Sequence, residues 1–223
     1  NNQYLLTIVA DKEWIEEETR AWPVTIDPVL IKEGQASDVR DNYVKQGSPN
    51  TNMYNSASIL YLGYDCASSV LNERVYTKYN NLPELPSSAI ITQALLYYCQ
   101  MPAYSPGYSG TDGLVVTARE VLGSWDSATI TWNNQPSFSS TILDYVKTGS
   151  NTNGTFLNWD ITSTVQKWYD GSLANNGIVL MSNKDLSLSV DMNVRLASSD
   201  NTNSSMIPRL IISYRDSKGI EDY

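Results

Sequence analysis

Residues 208–214 read Pro-Arg-Leu-Ile-Ile-Ser-Tyr. Leu210, Ile212 and Tyr214 alternate with Arg209, Ile211 and Ser213. A period of two with one apolar side marks a strand whose single face is covered. Ile130 and Trp132 alternate with Thr129 and Thr131 in the same way. Working outward, runs rich in Tyr, Thr, Val and Ile are punctuated by Gly, Pro, Asn and Asp at short intervals. Strands are expected over 39–45, 59–62, 74–79, 90–100, 114–121, 129–132, 177–181, 189–196 and 209–214. Eight or nine one-sided strands can bury their apolar faces only against one another. The expected fold is all-β, a jelly-roll-like β-sandwich of two facing sheets.

One segment breaks the period. In WDITSTVQKWYDG, residues 159–171, Ile161, Val165, Trp168 and Tyr169 fall at i, i+4, i+7 and i+8. That is a helical stripe, with Asp160 or Ser163 as N-cap and Gly171 at the left-handed C-terminal position. The expectation is one short helix closing an end of the sandwich, with Trp168 and Tyr169 toward the core. The first 34 residues read differently. Residues 4–9 suggest a strand, 11–18 one or two helical turns, and 22–26 a second strand stopped by Asp27-Pro28. The domain plan is therefore an N-terminal appendage over 1–34, the sandwich over 35–215 and a tail over 216–223. The chain begins Asn-Asn, which suggests a piece of a longer protein.

Composition excludes several functions. The 223 residues carry a formal charge of -9. A phosphate backbone would be repelled, so nucleic acid is not an expected partner. There is no histidine, so Ser-His-Asp and Cys-His catalysis are ruled out, along with the commonest metal ligand. No run of 18 apolar residues is present, so membrane insertion is not expected. Cys66 and Cys99 are the two cysteines, and spacing alone leaves open whether they form a disulfide. Scattered acids, among them Asp38, Asp41, Asp191 and Asp200, supply oxygen ligands for a structural Ca²⁺, although no EF-hand spacing links them. Glu73, Glu84, Glu120, Asp126 and Asp160 are carboxylates that a glycosidase could use.

The stretch GSWDSATITWNNQPS, residues 123–137, mixes indoles with Asp, Asn and Gln, the residue types that hold sugars and also those that fill cores. Trp125 and Trp132, like Trp168 and Tyr169, are read as core, because large aromatics dominate burial. Aromatics on loops are better ligand contacts. Tyr104 and Tyr108 lie in the Pro/Gly-flanked segment 101–112, and Tyr54, Tyr61 and Tyr64 flank a second loop region rich in Asn and Asp. A tyrosine ring stacks on the apolar face of a sugar while neighbouring amides orient its hydroxyls.

Taken together, these segments resemble the DNRLRE domain of bacterial secreted and cell-surface proteins. That domain often sits in Rhs/YD-repeat chains and is close to a group of carbohydrate-binding modules. The matching pieces are Leu60-Tyr61-Leu62-Gly63, Arg74-Val75-Tyr76-Thr77-Lys78-Tyr79, Ile91-Thr92-Gln93-Ala94-Leu95-Leu96, the Trp125–Pro136 stretch, residues 159–171 and residues 208–214. Tyr79 stands where the family has Phe, and segment 101–112 is longer than its usual counterpart. The resemblance implies a β-sandwich on a bacterial extracellular protein, acting as a non-catalytic carbohydrate-binding or adhesion module. The partners it implies are a polysaccharide or other glycan and the rest of the parent chain. The competing reading is a structural spacer or cap without a ligand of its own.

Overall fold

A computed structural model describes residues 12–17, 19, 29–33, 38–54, 58–66, 71–101, 113–148, 154–183, 185–186 and 191–216. The strands are β1 (Val29–Glu33), β2 (Val39–Lys45), β3 (Ile59–Asp65), β4 (Leu71–Tyr79), β5 (Ala89–Met101), β6 (Val115–Glu120), β7 (Asp144–Lys147), β8 (Thr155–Asp160), β9 (Ile178–Ser182), β10 (Met192–Ala197) and β11 (Arg209–Asp216). Among the described residues a single turn, α1 (Lys12–Ile15), one longer helix, α2 (Thr162–Tyr169), and a 3-10 turn over Ser204–Met206 complete the regular structure. The fold is the expected all-β, jelly-roll-like arrangement with one short helix.

The hydrogen-bonded path runs β1-β11-β5-β10-β3-β4-β9-β6-β7, with β2 on the free side of β4 and β8 on β5. Every named pair is antiparallel. The path curls into two layers. The first contains β2, β4, β9, β6 and β7; the second contains β3, β10, β5, β11, β1 and β8. They meet where Gly63 to Asp65 pair with Glu73 to Leu71. Gly63 makes that corner possible. Its φ is +122°, and a Cβ there would lie 2.3 Å from the Met192 carbonyl oxygen. Only glycine tolerates both conditions.

Alternation explains which side chains enter the core. Ala94, Leu96 and Tyr98 of β5, Leu210 and Ile212 of β11, Val194 and Leu196 of β10, and Leu157 and Trp159 of β8 are buried against Val75, Val116 and Leu180 of the other layer. Trp159 is 0% exposed, and its indole N–H donates to the Val116 carbonyl at 3.0 Å. Each such side chain contributes about 1.5–3 kcal/mol on burial, more than any cap or surface pair in the molecule.

The helix is shorter than its sequence stripe. Residues 155–160, partly read as helical, form β8 with the period of a strand, and α2 begins at Thr162. Ile161, not the expected Asp160 or Ser163, stands at the N-cap and has no side-chain cap bond; Asp160, one residue earlier, accepts from the Thr162 amide at 2.9 Å through Oδ1. Gly171 takes the left-handed conformation, φ +75°. Trp168 and Tyr169 are half-buried against the main core. The expected strand over 129–132 is not formed. Ile130 N donates to Asp126 O at 2.9 Å, and Asn134 Oδ1 accepts from Thr131 N at 2.6 Å, so turns take up the backbone that a ladder would need. Strands β1, β7 and β8 were not expected. β1 lies ahead of the boundary drawn at residue 35 and pairs with β11. The strands expected over 4–9 and 22–26 lie outside the described residues.

Candidate functional site

Among the described residues, two regions gather aromatic rings on the outer faces of the layers, although Tyr61 of the second also packs on the main core beside Tyr43, 5.3 Å away. The first is the stretch after β6. Residues 121–138 fold as a pad across the outer face of the first layer. There Val121, Trp125 and Ile130 bury against Val44, Tyr76 and Val179 of the sheet, with Trp132 and Phe138 packed at the margin. Most of the pad's buried polar groups are paired, the Arg74 Nε excepted. The Trp125 N–H donates to Asn176 O at 2.8 Å, and Lys78 Nζ donates to Trp125 O at 3.0 Å. The Tyr76 ring meets Trp125 edge-on at 5.7 Å. Asn42 and Asn52 donate to Ser127 O at 2.7 and 3.0 Å. Tyr76 Oη and Arg74 Nη1 both donate to Gln135 Oε1 at 2.9 Å. The Arg74 guanidinium lies 4.3 Å from the Trp132 ring and 5.1 Å from Phe138. Arg74 is tied further to Asp185 at 2.7 Å. Trp125 is 9% exposed.

The second region is the outer face of the second layer. Ala94, Leu96 and Tyr98 point inward, so Tyr97 and Met101 point outward. Tyr97 lies opposite Asn158 of β8 and Arg209 of β11. Arg195 of β10 lies opposite Met101 on one side and Tyr61 on the other. The face therefore displays three half-buried rings and two guanidinium groups. Tyr97 and Phe156 meet edge-on with centroids 6.5 Å apart. Arg209 sits 5.0 Å from the Phe156 ring, and Arg195 5.2 Å from Tyr61. Arginine stacked on a ring keeps its in-plane donors directed outward, and a pyranose needs a flat apolar surface beside such donors.

The remaining expected contacts disperse. Tyr54 is 42% exposed at the rim of a cavity of about 100 Å³ that also involves Asp41, Ser127 and Ser199. Tyr64 is 6% exposed, so its ring lies on no accessible face. Tyr104 and Tyr108 lie outside the described residues. Cys66 and Cys99 are separate free thiols, so the disulfide left open by their spacing is not formed. Among the described residues no group of three acids or thiols gathers to hold a metal ion. Of the four acids named for Ca²⁺, Asp41 accepts from Ser199 N, Ser199 Oγ and Tyr98 Oη at 2.9, 3.0 and 3.2 Å. Asp191 accepts from Cys66 N at 2.8 Å, and Asp38 from Asn81 at 3.3 Å. Asp200 stands exposed beside Ser199.

Of the carboxylates that a glycosidase could use, Glu120, Asp126 and Asp160 have other partners. Glu120 binds Lys167 at 2.8 Å and Thr164 at 2.9 Å; against the upward pull of burial, these bonds hold its carboxyl below the ordinary range. Asp126 Oδ1 accepts from Ala128 N at 2.7 Å, closing a turn. Glu73 is buried at the corner, and burial, with Asp65 adding and Lys45 and Arg195 opposing, pushes it up to about 8. Burial likewise pushes Asp41 up to about 6.

Sequence comparison bears on these surfaces. The profile of carbohydrate-binding module family 96 matches residues 33–214. Curated relatives include the "tRNA3(Ser)-specific nuclease WapA" of Bacillus spizizenii and the "tRNA nuclease WapA" of Bacillus subtilis. A third is the "tRNA(Glu)-specific nuclease WapA" of Bacillus subtilis subsp. natto. Each is 28% identical over 190 residues, covering 81% of this chain but 7% of the relative. The chain spans a small part of the length of those proteins.

Proposed function

The chain belongs to carbohydrate-binding module family 96, and from that premise we propose that it is a non-catalytic glycan-binding module of a larger bacterial extracellular or cell-surface protein. The observation that carries this reading is the outer face of the second layer, where Tyr61, Tyr97 and Phe156 supply ring surface beside Arg195 and Arg209. A glycan lies along that face, its sugar rings against the aromatics. Its hydroxyl or carboxylate oxygens accept from the guanidinium groups, and Asn158, exposed opposite Tyr97, adds an amide. Tyr104 and Tyr108 follow β5 directly in sequence and extend the contact, with Tyr54 as a separate loop contact. The sandwich over 35–215, together with β1, is the proposed binding unit, and the resemblance to YD-repeat chains supports reading it as one segment of a long adhesion-type protein.

Transfer RNA cleavage is named for the relatives. Their match to this chain covers 7% of their length, and a chain of net charge -9 without histidine is poorly suited to a phosphate backbone. That activity is read as belonging to other parts of those proteins. One observation favours the spacer alternative: the guanidinium groups already cover part of the Phe156 and Tyr61 rings.

Affinity electrophoresis in gels containing plant, microbial or host polysaccharides separates the readings. The module is retarded by at least one polysaccharide, and Tyr97→Ala and Phe156→Ala abolish the retardation while Trp132→Ala does not. A module that migrates freely through every gel has no glycan site on the aromatic face.

A further inference from the structure

A cavity of about 210 Å³ lies between α2 and the connection from β4 to β5, at the end of the sandwich. Its volume is that of about seven liquid waters at about 30 Å³ each. Leu85, Pro86, Ile91 and Tyr169 form an apolar wall, and Ser87, Gln166 and Asp170 line the rest. The wall is fixed. Tyr169 Oη donates to Pro83 O at 2.6 Å, and Ala89 N donates to Pro86 O at 2.9 Å. The polar groups keep spare capacity. Asp170 accepts from Ser172 N through Oδ1 at 2.8 Å. Hydrogen bonds from the Ser172 hydroxyl and then its amide hold the carboxyl below its ordinary range, so it accepts as an anion. Among the described residues the Gln166 amide and the Ser87 hydroxyl make no side-chain hydrogen bond. One apolar wall facing an anionic acceptor, an amide and a hydroxyl matches the two-sided chemistry of a sugar ring.

We propose that this cavity is a second subsite, holding one pyranose at the end of a glycan. The ring lies on the wall of Tyr169, Leu85 and Ile91, with its hydroxyls bound by Asp170, Gln166 and Ser87. This rests on the glycan-binding reading but not on the aromatic face. Ile91 and Tyr97 lie six residues apart on β5, roughly 20 Å at about 3.3 Å per residue. The two subsites are thus separable by mutation. A pyranose of about a dozen heavy atoms, bound at ordinary efficiency in an open cavity, has a millimolar dissociation constant.

The test is a ¹⁵N-resolved NMR titration with D-glucose, D-galactose, D-mannose and N-acetyl-D-glucosamine, each tried alone. At least one sugar shifts Ser87, Gln166 and Asp170 with millimolar affinity. Gln166→Ala and Asp170→Asn each weaken that affinity about tenfold, the loss expected for one hydrogen bond to a charged or amide partner. Tyr97→Ala leaves it unchanged. The subsite is refuted if none of the four sugars moves these resonances, or if the two cavity variants bind as the parent does. Polysaccharide retardation by Tyr97-dependent contacts with a silent cavity refutes the subsite alone. Sugar binding in the cavity without polysaccharide retardation refutes the aromatic face alone.

Discussion

The pad over residues 121–138 and the outer face of the second layer hold similar side chains, rings with cations above them, but in different states of satisfaction. In the pad, Trp125 gives its N–H to Asn176, Tyr76 gives its hydroxyl to Gln135, and Arg74 is fixed by Asp185 and Gln135 while lying over Trp132. On the outer face, Tyr97, Phe156 and Tyr61 are half-buried, touching one another, an arginine or Tyr43, and among the described residues the Tyr97 and Tyr61 hydroxyls make no hydrogen bond. A ring whose polar surroundings are already paired inside the protein gains little from a ligand. A ring beside donors with spare capacity gains more. Composition cannot separate these cases, because both regions draw on the same residue types.

The largest effects test the pad as structure. Trp125→Ala removes a buried indole and leaves the Asn176 carbonyl unpaired, at a cost of about 3–5 kcal/mol of stability, measured by denaturant unfolding. Glycan retention of the fraction still folded is unchanged. Loss of retention at full stability would erase the distinction between the two regions.

Next in size is the pH response, set by neither region but by two buried carboxyls, Glu73 at the corner between the layers and Asp41 on β2 against Tyr98 and Ser199. Glu73 is raised from 4.5 to about 8, and Asp41 from 3.8 to about 6. A raised carboxyl favours folding while protonated, so this stabilisation is present below the unfolded value and fades as pH rises through the folded one. Stability therefore falls from pH 3.8, where Asp41 ionises in the unfolded chain, to about pH 8, by on the order of a few kcal/mol. Glu73→Gln flattens most of that slope, as thermal unfolding across this range would show. Glu120, held low by Lys167 and Thr164, acts in the opposite sense, and its contribution is lost as pH falls through its lowered value.

Smaller again is the outer-face prediction. Arg209→Ala weakens polysaccharide binding by about tenfold, near 1.4 kcal/mol, while its stability changes less than that of Trp125→Ala. Titration calorimetry with a retarding polysaccharide reads the first, and unfolding the second. Smallest is Asp126→Ala. It removes the side-chain acceptor for Ala128 N, costs about 1 kcal/mol in thermal unfolding and leaves binding untouched.

Much of the fold was legible because a half-buried strand writes its burial into every second residue. β2 was placed over its full length, and β5, β6, β9 and β11 to within a residue or two. β8 was hidden because Trp159 belongs to the strand period yet also stands next to the helical stripe begun by Ile161. Thr129–Trp132 misled for the opposite reason: two alternating apolar residues also fit a turn pinned by Asp126 and Asn134. The candidate face was harder to see. Tyr61 was named, but Tyr97, Phe156, Arg195 and Arg209 meet only through pairings between strands distant in sequence. A local clue did exist. In Leu95–Gln100 the apolar period sends Leu96 and Tyr98 inward, which sends Tyr97 out.

The account stands most directly on where a bound glycan lies. Hydrogen–deuterium exchange, with and without a polysaccharide that retards the module, should show protection over 95–101, 156–158 and 209–211 and none over 123–137. Protection confined to 123–137, with the β5, β8 and β11 segments unchanged, would place recognition on the pad and contradict the assignment of its rings to structure.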